Sequence, residues 1–163
     1  MTSGNEQSPA KSLNDPAFLC ASPRLFENPL LDKLSRVHWT MPLLVYVPFV
    51  VLLGFLSLRI FSPAMVLGSA LVGYFVWTLI EYFGHRYLFH AELPGSWGAR
   101  LHFLIHGVHH VHPSDPLRLA LPPLMSAPIV IGAFLLLRAA CGPALVLPAL
   151  AGFLLGSVAY VIL

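Results

Sequence analysis

The sequence is poor in charge. Only 10% of its 163 residues are Asp, Glu, Lys or Arg, against about 25% in an ordinary soluble domain. Seven acidic and nine basic residues leave a formal net charge of +2. The broad basic face of a nucleic-acid-binding protein is therefore missing. A disordered chain and a soluble globular enzyme are excluded too, because 57% of the residues are hydrophobic and mean hydropathy is +0.78. Cysteine is nearly absent. Cys20 and Cys141 form neither a disulfide framework nor a Cys-x-x-Cys metal pair. No apolar run begins early enough to be a cleaved signal peptide.

Long apolar runs are what the chain has instead. A bilayer core of about 30 Å takes about 20 residues of helix, and helices satisfy their own backbone hydrogen bonds in lipid. Four apolar runs follow, near residues 41–60, 64–83, 124–137 and 144–163, the third shorter unless it starts at Leu119, and interrupted by Pro122, Pro123 and Pro128. The first two are joined by a few residues around Ser62-Pro63 and predict a tight antiparallel hairpin. Pro48 and Pro148 kink their spans without abolishing them. Gly152 and Gly156 form a G-x-x-x-G whose first use is close packing inside the bundle, with a dimer face as the alternative. The expected fold is all-α and integral to the membrane, with about four transmembrane helices. Residues 1–40 form a polar tail bearing Pro9, Pro16, Pro23 and Pro29, then an interfacial segment over 25–39. There Phe26, Leu30, Leu31 and Leu34 would lie on the membrane surface, with His38 and Trp39 at headgroup level. Residues 41–163 form the membrane domain. Lys11, Arg24, Lys33, Arg36, Arg86, Arg100 and Arg118 lie on one side of the spans, and Arg59 and Arg138 on the other. That bias puts the N-terminus and the segment between the second and third spans in the cytoplasm.

That segment forms a histidine-rich cap. Seven of the eight histidines fall between His85 and His112, where even scatter would place one or two. His106, His109 and His110 stand at i, i+3 and i+4, on one helix face, and His102 lies one turn earlier. His85 and His90 are five apart, about 140° round an ideal helix, so they converge only where the helix ends or loosens. Glu81, one turn before His85, can accept its second ring proton and so fix its tautomer. A solvated His-rich loop with casual metal affinity would predict neither this spacing nor its place at two span ends. The expected metal ligands are His85, His90, His106, His109 and His110. His102, His112 and Glu81 stand as further ligands or as supports to them. Imidazole without cysteine suits zinc, iron, copper or nickel.

His-x4-His followed by His-x2-His-His beside four spans resembles the fatty acid hydroxylase/sterol desaturase superfamily. The flanking residues are similar to its fatty acid 2-hydroxylase branch. They are Ser22-Pro23-Arg24-Leu25-Phe26, Leu34-Ser35-Arg36, Trp39, Leu79-Ile80-Glu81-Tyr82, His85-Arg86, Leu88-Phe89-His90, Leu101-His102-Phe103, His106-Gly107, His109-His110, Asp115, Arg118-Leu119 and Pro122-Pro123. The resemblance spans about residues 22–163. It implies a di-metal oxygenase that hydroxylates carbon 2 of the acyl chain of sphingolipids. It implies two metal ions, iron for activity with zinc able to occupy the site, and O2. An electron donor such as cytochrome b5 or a ferredoxin-like protein would act from outside, because no haem-binding domain precedes the spans. The membrane would be the bacterial inner membrane or the endoplasmic reticulum.

One departure bears on activity. The family continues past its fourth span into further histidine boxes, and here 156–160 resembles the approach to them before the sequence stops at Leu163. Five histidines fall short of two full coordination shells. A truncated chain, inactive alone, is the expectation. Rivals are another superfamily hydroxylase or desaturase acting on a sterol or carotenoid, and a His-rich membrane metal transporter. A catalytically dead membrane fragment that partners other proteins is a third. Arg86 and Arg100 are expected to be positive-inside charges, and Arg118 to pair with Asp115 at the surface.

Overall fold

The computed structural model describes residues 15–91 and 94–162. Pro9, Lys11 and Leu163 lie outside the described residues. The protein is 76% helix, with no strand among the described residues. Two short helices open it, α1 (Pro16–Leu19) and α2 (Pro29–Leu34). Each begins with a proline after a capping side chain. Asp15 accepts from the Ala17 amide and Asn28 from the Leu30 amide, both at 2.9 Å.

Three helices are long and apolar enough to cross a membrane: α3 (Met41–Leu58), α4 (Pro63–Phe83, continued by a widened turn to Phe89) and α7 (Pro123–Ile162). Their outward residues require lipid around them. Leu44 is 72% exposed, Leu71 60% and Leu135 58%, a continuous apolar surface that water would not tolerate. α7 is in fact two legs. Gly142 has φ 77° and ψ 172°, a conformation only glycine adopts readily, and Pro143 comes next. The helix breaks there into residues 123–141 and 143–162, the third and fourth expected spans.

Contacts fix the course of the legs. Tyr46, early in α3, donates to the Ser126 hydroxyl, early in the first leg, at 3.0 Å. Trp77, late in α4, meets Phe153 edge-on with ring centres 5.2 Å apart, and Tyr160 at 6.4 Å. The first leg thus runs with α3 and the second with α4, and Gly142 turns the chain between them. The connection from α3 to α4 is short, as expected, but the two helices barely touch, and α7 fills the space between. The reason is side-chain size. Gly73 lies so close to α7 that a Cβ there would sit 1.7 Å from the Ala149 carbonyl oxygen, and one on Gly152 would sit 1.8 Å from that of Ala70. The G-x-x-x-G is spent inside the chain. Ala133, Leu137, Val146, Ala149, Phe153 and Leu154 complete the core around Trp77.

Between α4 and α7 come α5 (Gly95–His102), a second widened turn (Phe103–Gly107) and α6 (Val108–Val111). The N-terminal segment straps this region down. The Val37 and Trp39 amides donate to the carbonyls of Leu117 and Pro116 at 2.6 and 3.0 Å. Asp32 is the knot. One carboxylate oxygen takes the Leu25 amide at 2.7 Å, and the other takes Arg36 at 2.9 Å. Arg36 also reaches Ser22, and Arg118 donates to the Pro23 carbonyl at 2.6 Å. Arg118 pairs with Asp115 at 3.5 Å, as the spacing suggested. The pair is buried rather than at the surface, with Asp115 wholly shielded from solvent.

Candidate metal centre

Four histidines meet at the end of the bundle. Ring nitrogens of His85, His90, His106 and His110 all lie within 4.8 Å of one another. The Nε2 atoms of His85 and His90 are 3.0 Å apart, and those of His106 and His110 2.8 Å. His106 is central, with ring centres of His85, His90 and His110 at 4.6, 4.9 and 4.5 Å. Nitrogens this close suit a single ion at ordinary metal–imidazole distances of about 2.0–2.1 Å. The donor set fits the metal that the sequence led us to expect: four imidazoles with no competing thiolate.

Local backbone brings His85 and His90 together. Residues Gly84–Phe89 form a π-helical turn, and the His90 amide donates to the His85 carbonyl at 3.2 Å, the five-residue bond of that geometry. Five residues then make about one turn, and the two rings fall on one side. This is the loosening that the five-residue spacing required. The second π turn, Phe103–Gly107, ends at the α-helical step that stacks His106 over His110. A π turn spends more residues per revolution, so it rotates His102 relative to His106 and His110. His102 is outside the four.

The other sequence candidates have different surroundings. His109 is also outside the four, its ring 6.2 Å from that of His106, but it lines a cavity of about 350 Å³ together with His85, His106, Glu81 and Arg118. Glu81 Oε1 lies 3.9 Å from His85 Nδ1, within ion-pair reach but longer than a hydrogen bond. His112 turns away; its Nδ1 is 2.8 Å from the Phe18 carbonyl oxygen and its ring packs on Phe18. His38 is remote, with Nδ1 2.9 Å from the Thr40 hydroxyl. One participant had no spacing to reveal it: Tyr160, from the second leg, lines the same cavity walls as Glu81 and His85.

Electrostatics favour neutral rings. Burial, then the neighbouring imidazoles, push the His106 pKa down to about 4. Burial, then His110 and His85, lower that of His109. Neutral imidazole is the ligating form.

An all-helical, multi-pass membrane protein with a four-imidazole centre at one end of its bundle is the class these features define. The chain is 36% identical over 150 residues to the dihydroceramide fatty acyl 2-hydroxylase FAH2 of Arabidopsis thaliana, across 91% of this chain and 63% of that one. It is 40% identical over 104 residues to the ceramide very long chain fatty acid hydroxylase SCS7 of Saccharomyces cerevisiae, across 62% and 27%. A solved structure of full-length scs7p, with only its hydroxylase domain visible, superposes with TM-score 0.73 at 34% identity, covering 80% of this chain and 51% of that one. No protein-family model matches. The fatty acid 2-hydroxylases are thus homologues of this chain, and the resemblance carried by the histidine spacing and its flanking residues is borne out. The chain spans about 63% of the length of the plant relatives.

Proposed function

We propose that this chain carries the core of a membrane fatty acid 2-hydroxylase acting on the acyl chain of a sphingolipid. The convergence of His85, His90, His106 and His110 on one point carries the proposal. Iron held there would supply one-electron dioxygen chemistry. In balance, a C–H bond beside the acyl carbonyl and O2 take two electrons and two protons, giving C–OH and water. The electrons come from an external donor of the cytochrome b5 or ferredoxin type. His106 gives the centre a buried, neutral anchor. Glu81 stands 3.9 Å from the far side of the His85 ring, within ion-pair reach, and shares the cavity wall with Tyr160. His109 is the nearest further imidazole, and a second ion would draw on it and on groups beyond the four. The excess of Lys and Arg on the histidine side supports a cytoplasmic centre. A transporter is disfavoured because the imidazoles gather at a helix end rather than at mid-span. Relatives that hydroxylate ceramides favour an acyl chain over a sterol or carotenoid.

The test is direct. The protein is produced in membranes of a host without 2-hydroxylated lipids, with iron and a donor supplied. Mass spectrometry should find 2-hydroxyacyl sphingolipid once a co-expressed polypeptide supplies the ligands that these histidines leave wanting, and His106→Ala should abolish both it and bound metal. Stoichiometric metal without any hydroxylated lipid would sink the enzymatic proposal.

A further inference from the structure

The short helix α2 is built inside out for a helix in water. Leu30, Leu31 and Leu34 are 63%, 50% and 60% exposed, while Asp32 is 8% exposed. At about 100° per residue the three leucines share one stripe, and Asp32 falls nearly opposite its middle. A surface helix in water turns such a stripe inward and such an acid outward. Here the Asp32 bonds to the Leu25 amide and to Arg36 fix the roll of the helix the other way. Phe26, expected beside the leucines on the membrane surface, instead lines the cavity beside His85 and His106. The stripe continues into surface that lipid already covers, because Trp39, Met41 and Leu44 are exposed along the way to the outer side of α3. Six residues separate α2 from α3, a span of at most about 25 Å. The Val37 and Trp39 amides pin that link to Leu117 and Pro116. Lys33 is exposed on the flank of the stripe.

We infer that α2 is seated in the surface of the bilayer that the long helices cross. Its three leucines sink about 5–10 Å to the boundary of headgroups and acyl chains, and Lys33 reaches back to the phosphates. Continuity with the lipid-facing side of α3 favours lipid over a second protein as the occupant, and a cation beside the leucines suits an anionic headgroup. Seated so, α2 braces the strap across the histidine face, because the side of the helix opposite the leucines carries Asp32. The inference rests on the membrane-spanning helices and not on the proposed hydroxylase chemistry.

Spin labels read the seating directly. The full chain with Cys20→Ser and Cys141→Ser, which removes both native thiols, takes one nitroxide at a time at Leu30→Cys, Leu31→Cys or Leu34→Cys. Leu44→Cys on the lipid-facing side of α3 and the exposed Glu27→Cys serve as references. Each variant is placed in vesicles of phosphatidylcholine and phosphatidylglycerol. Power saturation then compares collisions with oxygen, which concentrates in lipid, and with a nickel chelate, which stays in water. The three leucine sites should favour oxygen, as Leu44→Cys does, and Glu27→Cys should favour the chelate. Preference for the chelate at the leucine sites would put α2 in water, and poor access to both reagents would mean that protein covers it. Either result overturns the inference. In the same vesicles Leu31→Glu, which sets a charge in the stripe, should speed hydrogen exchange at the Leu25 amide several-fold. Unchanged exchange there would overturn the bracing of the strap.

Discussion

At the scale of single residues, His106 and His112 make the sharpest contrast. Each is 8% exposed, yet one faces three imidazoles and the other a backbone carbonyl. His106→Ala should therefore lose metal, read by metal analysis of the purified protein, with little change in the strap. His112→Ala should keep metal and loosen α1, costing about 1 kcal/mol for the lost hydrogen bond, seen as faster amide exchange at residues 17–20. Glu81→Gln keeps the shape and removes the charge beside His85. Metal affinity should fall about tenfold, measured by competition with a chelator. Glu81 and His85 were legible as an i, i+4 pair. Tyr160 was not, since nothing in local spacing announces a residue that joins their cavity wall from the far end of the membrane domain.

At the scale of helices, small residues decide which surfaces meet. Gly73→Ala and Gly152→Ala would each drive a methyl into a backbone carbonyl of the facing helix. Each should cost about 1–3 kcal/mol or more. Gly132→Ala meets nothing within 4 Å and should be neutral or slightly stabilising, as helix propensity favours alanine by about 1 kcal/mol. Thermal unfolding in detergent separates the two outcomes. The spans themselves were plain in the sequence, because length and apolarity are read residue by residue. Their packing order was not. A short link between the first two runs predicted that α3 and α4 pack together, but a link sets only where helix ends lie. The fit of Ala70 and Gly73 to Ala149 and Gly152 is a tertiary property. The π turns were likewise visible only as a requirement: the histidine spacing demanded a loosened helix without saying how it loosens.

At the scale of the whole molecule, residues 22–36 and 112–118 form one buckle across the face that bears the histidines. Asp32 is its pH-sensitive part. The Leu25 amide, and then Arg36, hold its carboxyl below the ordinary value of 3.8. A depressed carboxylate contributes stability in full above that ordinary value, and the contribution is lost as pH falls through the lower folded one. Protection of the Leu25 and Phe26 amides from hydrogen exchange should thus be flat from pH 7 to about pH 5 and fall away below about pH 4. Asp32→Asn should remove that acid step. The residues of this buckle were conspicuous in the sequence as flanking motifs far apart in number, and only the fold shows that they answer one another.

The buckle also imposes an order in time. Ser22, Asp32 and Arg36 are synthesised first, but Leu117 and Arg118 emerge only after α3, α4 and the histidine segment have been made. During translation the strap's internal Asp32 and Arg36 contacts have their partners early, but the strap closes over the histidine face only once residues 112–118 have emerged. A ribosome-bound chain arrested before residue 112 should be readily cut by protease between residues 20 and 37. One whose emerged portion includes residue 118 should resist.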